Sequence, residues 1–365
     1  MRKMIMLLLL LPLFTAQAFA DDVYAQAGED CGTAAIEEAV PDGVRDISGE
    51  LSVDGSYNTQ GALERLWKSF AEKLKSSVKD ELKTASALIG ISFACAACGA
   101  LCSDKTSEKM IGTAACAAVV YLTVSGAESV LQTAEGALLE LTDYSRAALP
   151  VIFTASAASG AALSAPSRYA AVCLALDVMM SAAQKVIIPI ICTYLALSIS
   201  ASVFPEPFVK ASAQFAKKAG VTIMTVMTIA FSAYIGVTGL VSGSMDAVAV
   251  KTAKTVISTS LPVVGGIISD AASTVLSAAS VVKNSSGVFS LIVVCAMCVG
   301  PFAMLGVKML LFKLSSAVAE TAPNGNLSQL LSDIGDAMGM LTGLVGCCAI
   351  MLFISIVSGI KAVTG

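Results

Sequence analysis

Six uncharged, apolar runs constrain this chain more than any other feature of its sequence. They cover residues 84–103, 110–127, 186–204, 219–245, 284–307 and 337–360. At 1.5 Å of rise per residue, a helix of about 18 residues or more spans the roughly 30 Å hydrocarbon core of a bilayer. Only 14% of the residues are charged, whereas soluble proteins carry about 25%. The sequence therefore predicts an all-α, polytopic integral membrane protein with about six transmembrane helices.

The first twenty residues have the three parts of a secretory signal peptide. Arg2 and Lys3 precede an apolar stretch at 4–14, and the Ala-Phe-Ala sequence at 18–20 fits a cleavage site. An uncleaved first transmembrane helix is the alternative, but the apolar stretch is short for that purpose. We expect three regions: a signal peptide at 1–20, an exported segment at 21–83 and a membrane domain at 84–365. The mature N-terminus would then lie outside the cytoplasm.

The exported segment divides into an acidic part and an amphipathic part. Residues 21–60 carry ten Asp and Glu against one basic residue, Arg45, and few large apolar side chains, which predicts extended or weakly ordered chain. In 61–83, apolar residues including Trp67 recur every three or four positions, with lysines between them. This pattern predicts an amphipathic helix that lies on the membrane, docks on a partner or simply leads into the first span.

Two further apolar stretches contain the tripeptide Leu-Pro-Val, which begins at Leu149 and at Leu261. Each follows one span and precedes another, which suggests a weak internal duplication of about 110–215 and 219–320; chance similarity is the alternative. Broken helices at membrane depth are tolerated where protein or water surrounds them, so we predict two re-entrant segments. The residues predicted to line a pore or contact a partner are Pro150, Gly160, Asp177, Asp246, Lys251, Lys254, Pro262, Gly265, Gly266 and Asp270. The alternative is that the charged ones merely flank short helices at the membrane interface.

The distribution of basic residues predicts an orientation. With two re-entrant segments and an external N-terminus, the cytoplasmic segments are 104–109, 205–218 and 308–336, with seven Lys and Arg in 49 residues. The external loops 128–185 and 246–283 carry six in 96 residues. The higher cytoplasmic density agrees with the positive-inside rule.

Small residues at four-residue spacing predict close helix packing in lipid. These are Gly239 and Gly243 in one span and Gly335, Gly339 and Gly343 at another. The packing is either within the chain or between copies in a homo-oligomer.

Several chemistries are excluded or disfavoured. The chain has no histidine, which removes histidine-based catalysis and the usual zinc ligands. Ten of the eleven cysteines lie in apolar stretches, where cysteine serves mainly as a small apolar residue. There is no P-loop and no basic patch suited to nucleic acid. We therefore expect a non-enzymatic protein without cofactor or metal.

One stretch carries a family resemblance. Lys251-Thr252-Ala253-Lys254, Pro262-Val263-Val264-Gly265, Asp270 and Lys283-Asn284 follow one another in the order seen in the stage III sporulation protein AE family, which this segment resembles. The resemblance implies a multi-pass protein of the mother-cell membrane facing the forespore, in contact with membrane lipid. It also implies a channel or secretion-like complex of membrane proteins from the same operon, including an ATPase and ring-forming subunits.

Two other functions remain open at this point. A stand-alone secondary transporter would use Asp177 and Asp270 to bind a coupling ion. A structural scaffold would recruit ring proteins through residues 61–83.

Overall fold

The computed structural model describes residues 31–48, 59–102, 104–161, 164–204, 206–260, 265–320 and 325–360. Side chains at 46–48, 59–60, 63, 105, 239–276 and 278 lie outside that description. The helices are α1 (Ala34–Glu38), α2 (Asp42–Ser48), α3 (Thr59–Leu101), α4 (Lys105–Ser156), α5 (Ala165–Ala182), α6 (Ile188–Val203), α7 (Pro207–Ser260), α8 (Gly265–Ala319) and α9 (Gly325–Ile360). Short π-helical segments, Ala157–Ala161 and Ala183–Ile187, follow α4 and α5. No β-strand occurs in the described ranges, and the all-α prediction is confirmed.

Six of the described helical segments are long and apolar enough to cross a membrane. They are α3, α4 with its π-helical end, α5 joined to α6, α7, α8 and α9. Most extend well past one bilayer: α4, for example, has 52 residues, about 78 Å at 1.5 Å per residue. The predicted number of spans is confirmed, while the helices continue beyond the apolar runs that identified them.

Helices α8 and α9 form the centre of the bundle. They are the most apolar of the six, and 56% of the most apolar 18-residue stretch of each is buried. They run antiparallel, because Lys313 donates to the Ser332 hydroxyl at 2.9 Å and Ser316 donates to the Ser328 carbonyl at 2.8 Å. Helix α9 also packs on α4, α6 and α7, while α8 packs on α3 and α4. The C-terminal hairpin therefore connects the two sides of the molecule.

Glycines set the spacing of α9 from its neighbours. A Cβ on Gly335 would lie 3.2 Å from Cγ of Lys313, and one on Gly339 would lie 3.2 Å from the sulfur of Met309. Near the end of α9, a Cβ on Gly359 would lie 2.7 Å from Cγ2 of Ile152 in α4. A Cβ on Gly343 would have no neighbouring atom within 4 Å. A Cβ at 359 therefore does not fit without a shift of Ile152, those at 335 and 339 need small movements of Lys313 and Met309, and the backbone at Gly343 faces open space.

The acidic segment contributes to the core, so the prediction of extended or weakly ordered chain is wrong for residues 31–48. Helix α1 packs on α4, and α2 packs on α8. Ile36, Val40 and Val44 are 0%, 4% and 5% exposed. Ile36 lies in α1, Val40 in the bend that follows it and Val44 in α2, and the burial of these three side chains anchors an otherwise acidic segment.

The first Leu-Pro-Val stretch does not break at its proline. Pro150 lies inside α4, half-buried, and the helix continues to Ser156. The chain breaks at Gly160, which has φ of 116°, a conformation that favours glycine. Pro262 lies outside the described residues, between the end of α7 and the start of α8. Re-entry of either stretch into the bilayer stays a prediction.

The amphipathic stretch 61–83 belongs to the same continuous helix as the first predicted span. Among the three interpretations of its pattern, the one in which this stretch leads into the first span matches the structure. Trp67 on this stretch is 72% exposed and stacks near Phe70, with ring centroids 6.0 Å apart.

If the uncharged runs of all helices lay side by side in the bilayer, charged stretches would not contact them. The helices are instead displaced relative to one another along the bundle axis. Thr133 of α4 contacts the sulfur of Met304 at 3.1 Å, and Glu81 of α3 pairs with Lys308 at 2.5 Å. The uncharged run 284–307 of α8 therefore lies beside the charged parts of α3 and α4. The charge-based topology put 61–83 outside and 308–336 in the cytoplasm. Because Glu81 and Lys308 touch, both assignments cannot hold.

Candidate functional site

An ionic junction joins three helices at one level of the bundle. Asp336 of α9 accepts from Lys217 of α7 at 2.5 Å and from Lys313 of α8 at 2.6 Å. The Asp336 side chain is 23% exposed, and the two lysine side chains are 39% and 36% exposed. Lys313 also donates to the Ser332 hydroxyl. One carboxylate thus serves two ammonium groups, and the group of three carries a net positive charge.

A second polar contact lies beside this junction. The Tyr194 hydroxyl of α6 donates to Asp333 at 3.1 Å. Tyr194 is 1% exposed, and Asp333 precedes Asp336 by three residues, almost one helical turn. Helices α6, α7, α8 and α9 therefore meet through polar side chains at this level of the bundle.

A cavity of about 510 Å³ opens between α6, α7 and α9 next to the junction. We call it the lysine cavity, because Lys210, Lys217 and Lys218 line it together with a single carboxylate, Asp333. Amide and hydroxyl groups complete its polar wall, from Gln214, Asn326, Gln329, Ser198, Ser202 and Thr222. Its chemistry suits an anion.

A groove of about 530 Å³ lies on the other side of the bundle, between α2, α3, α4 and α8. We call it the polar groove. Lys73, Asp80, Glu81 and Glu140 line it on one side, and the apolar side of α8 from Ala296 to Met304 lines it on the other. The Glu81–Lys308 pair lies at this groove with side chains 16% and 13% exposed. Loss of one partner would leave the other charge largely buried and uncompensated, so the pair specifies the register of α3 against α8.

At the level of the groove the bundle has two unlike faces. On α3 and α4 the exposed side chains include Glu72, Lys75, Glu135 and Glu140, together with the apolar Val78 and Leu139. Near that level α7 and α9 expose large apolar side chains, for example Ile229 at 63% and Ile350 at 51%, whereas α5 exposes both Leu174 at 67% and Asp177 at 58%. The apolar face suits lipid. Charged side chains at bilayer depth face water or protein, because lipid exposure costs several kcal/mol.

Among the residues predicted to line a pore or contact a partner, the side-chain surroundings are described only for Pro150, Gly160 and Asp177. Asp177 of α5 is exposed, 3.8 Å from Arg146 of α4, which also pairs with Asp143 at 3.6 Å. Pro150 and Gly160 lie in and after the end of α4. Only the helical backbone is described for Asp246, Lys251 and Lys254 in α7 and for Asp270 in α8, and likewise for the helix-packing glycines Gly239 and Gly243. Gly265 and Gly266 form the first turn of α8, and Pro262 is outside the described residues.

The groups that do assemble were not singled out from the sequence. In the sequence, Lys217, Lys313 and Asp336 lie in the charged segments 205–218 and 308–336 between predicted spans. One signal pointed towards them: the segments 205–218 and 308–336 were predicted on the same side of the membrane, and the contact between Lys217 and Asp336 agrees with that. Their pairing depends on how α7, α8 and α9 are placed relative to one another, and no single stretch of the sequence specifies that placement.

Comparison with known proteins decides the family. Residues 50–362 match the family model described as "Stage III sporulation protein AE". The chain belongs to the stage III sporulation protein AE family. It is also similar to the stage III sporulation protein AE of Bacillus subtilis (strain 168), with 23% identity over 240 residues. That alignment covers 65% of this chain and 60% of the relative. No solved structure matches the chain.

Family membership directs attention to Lys283, which belongs to the stretch that carries the resemblance. Lys283 is 2% exposed in α8. Ser286 and Ser290, both 0% exposed, follow it on the same side of the helix. Burying an ammonium group costs free energy unless polar groups surround it. Lys283, Ser286 and Ser290 therefore give one buried side of α8 a polar character.

Proposed function

We propose that this member of the stage III sporulation protein AE family is a non-enzymatic membrane core subunit of a channel or secretion-like complex. The complex would link mother cell and forespore and include an ATPase and ring-forming subunits from the same operon. The protein would lie in the mother-cell membrane that faces the forespore. Family membership supports the role in sporulation.

The observation that carries the channel role is the two-faced bundle. The charged face of α3 and α4 lies beside the most apolar part of α8, as the Glu81–Lys308 and Thr133–Met304 contacts define. A single copy in lipid would expose that face to acyl chains at high cost. An assembly in which the charged faces of several subunits surround water removes the cost and creates a conduit.

Cysteine labelling in sporulating cells tests this proposal. In a variant without its native cysteines, single cysteines replace Glu72 or Glu140 on the charged face. Matched cysteines replace Ile229 or Ile350 on the apolar face. Ile350 follows Gly346, which packs on Phe302 of α8, and Glu140 lines the groove beside Ala296 to Pro301, so positions 350 and 140 lie at similar levels.

We expect a hydrophilic maleimide to label the cysteines at 72 and 140 and to leave those at 229 and 350 unmodified. Labelling at 140 should also stop forespore development, because a bulky group in the conduit obstructs it. If 72 and 140 are as protected as 229 and 350, the charged face does not contact water and the conduit is wrong. Membership in the family would be unaffected.

A scaffold role is the second candidate, and one observation favours it. Trp67, Val78 and Leu82 on α3 are 72%, 45% and 58% exposed, a stripe that could dock a ring-forming partner. Replacing Trp67 by Ala should then abolish recovery of ring proteins with the purified complex. Under this role, labelling of a cysteine at 140 would leave forespore development unchanged.

A further inference from the structure

We infer that the lysine cavity is a binding site for a phosphate-bearing anion, with an anionic lipid headgroup as its expected source. This inference concerns a different side of the molecule from the conduit and does not depend on it. The cavity is walled by α6, α7 and α9 and has a volume of about 510 Å³.

The charge balance of the cavity favours an anion. Of its three lysines, Lys217 is engaged by Asp336. Among the described side chains, Lys210 and Lys218 have no carboxylate within ion-pair distance. The one carboxylate of the lining, Asp333, accepts a hydrogen bond from Tyr194 at 3.1 Å. With three lysines against one carboxylate, the lining is net positive, and it also presents neutral amide donors.

The position of the lysines on α7 fits a headgroup. Lys210, Gln214 and Lys217 follow one another at spacings of four and three residues, which places them on one side of the helix. The uncharged run 219–245 begins directly after Lys218. Lysines at the end of an apolar run lie where lipid phosphates lie, and basic pockets between helices at that depth bind anionic headgroups.

The surrounding surface is suited to acyl chains. Phe204, Phe208 and Phe215 are 69%, 81% and 74% exposed near the same end of α6 and α7. Aromatic residues are enriched at the membrane interface, where the ring contacts the upper part of the acyl chains. Phe208 and Phe215 line a separate, mostly apolar groove between α6 and α7, so the same end of these two helices offers an aromatic surface to acyl chains.

Lipid retention by the purified full chain in detergent tests the inference. The protein is incubated with phosphatidylglycerol, with phosphatidylcholine or with inorganic phosphate alone, and bound molecules are counted by native mass spectrometry. We expect preferential retention of phosphatidylglycerol, which K210Q/K218Q weakens about 30-fold, since each interfacial lysine contributes roughly a further factor of five. The charge-conserving K210R/K218R variant should retain it.

The matched control is K68Q/K75Q, which removes the same charge from exposed positions of α3 outside the cavity. Control and unmodified protein should bind alike. Tight binding of inorganic phosphate that K210Q/K218Q abolishes would support the same site with a soluble source. Equal retention of both lipids, or equal loss in K68Q/K75Q and K210Q/K218Q, would overturn the site.

Discussion

At the scale of single residues, the stability of the bundle depends on a few polar and glycine positions among many apolar ones. Asp336 is the only described carboxylate that accepts from two lysines, and these come from two other helices. Gly359 allows α4 to approach α9 so closely that the Ser156 hydroxyl donates to its carbonyl at 2.6 Å. Such positions tolerate few substitutions, whereas exposed apolar positions tolerate many.

Replacing Asp336 by Asn should lower the free energy of unfolding by about 2 kcal/mol, because Lys217 and Lys313 lose their shared counter-charge while still partly buried. Thermal unfolding in detergent measures the change. The matched control is Asp143→Asn: Asp143 pairs with Arg146 at 3.6 Å, with side chains 73% and 65% exposed. We expect that control to change stability by less than about 0.5 kcal/mol. Equal effects of the two changes would show that the junction does not stabilise the bundle.

Gly359 and Gly343 lie in the same helix and provide a second matched pair. A Cβ at 359 would meet Ile152 at 2.7 Å, whereas one at 343 meets nothing within 4 Å. Gly359→Ala should therefore cost about 1–3 kcal/mol through overpacking. Gly343→Ala should leave the free energy of unfolding unchanged or raise it by up to about 1 kcal/mol, because alanine favours the helix more than glycine does. Denaturation in detergent distinguishes them, and a G359A variant as stable as the parent chain would mean that the α4–α9 contact is looser than described.

At the scale of elements, the end of α4 shows how a helix passes a proline and stops at a glycine. Pro150 removes one backbone hydrogen bond, yet the buried neighbours Leu149 and Ile152, each at most 1% exposed, hold the helix in place. The turn at Gly160 then has a positive φ, and the chain redirects into α5. The element boundary is thus set by backbone conformation rather than by the proline.

Gly160→Ala should lower stability by about 1–3 kcal/mol, because an alanine in this backbone conformation is strained. Gly136→Ala in the middle of α4 is the control, since that position is helical and an added Cβ would have nothing within 4 Å; we expect little change or a gain of up to about 1 kcal/mol. Circular dichroism during heating measures both. If the G160A variant unfolds at the same temperature as the parent chain, the break lies elsewhere.

At the scale of the whole molecule, the offset between uncharged runs determines the shape of the protein. The apolar parts of α8 and α9 lie beside charged stretches of α3 and α4, so the bundle has an apolar face and a charged face at one level. The Glu81–Lys308 pair is the contact that fixes this offset most directly.

A charge-reversal cycle tests the offset. Glu81→Lys and Lys308→Glu should each destabilise the protein by about 2–4 kcal/mol, because each places two like charges together in a largely buried site. The double variant should recover about 2 kcal/mol or more through coupling between the two positions. Lys68→Glu on the exposed side of α3 should change stability little. If the losses in free energy of unfolding of the two single variants simply add in the double variant, Glu81 and Lys308 do not interact. The topology predicted from the charges would then no longer be excluded.

Much of the fold could be predicted from sequence because its signals are local. An uncharged run of helical length identifies a span without reference to any other residue, and all six predicted spans have a counterpart. The apolar residues Ile36, Val40 and Val44 were also present in the sequence, but the acidic composition around them obscured their meaning. For the candidate site little was predicted, since its residues are ordinary flanking charges until helices far apart in sequence align.

The sequence by itself determined that this chain is helical, apolar enough to enter a membrane and a member of a sporulation family, because composition, run length and motif order are properties of the linear chain. The tertiary structure alone decided which charges meet. Pairing Asp336 with Lys217 and Lys313, or Glu81 with Lys308, requires the relative displacement of helices along the bundle axis. That displacement results from the summed packing of many side chains and glycines, and no local pattern encodes it.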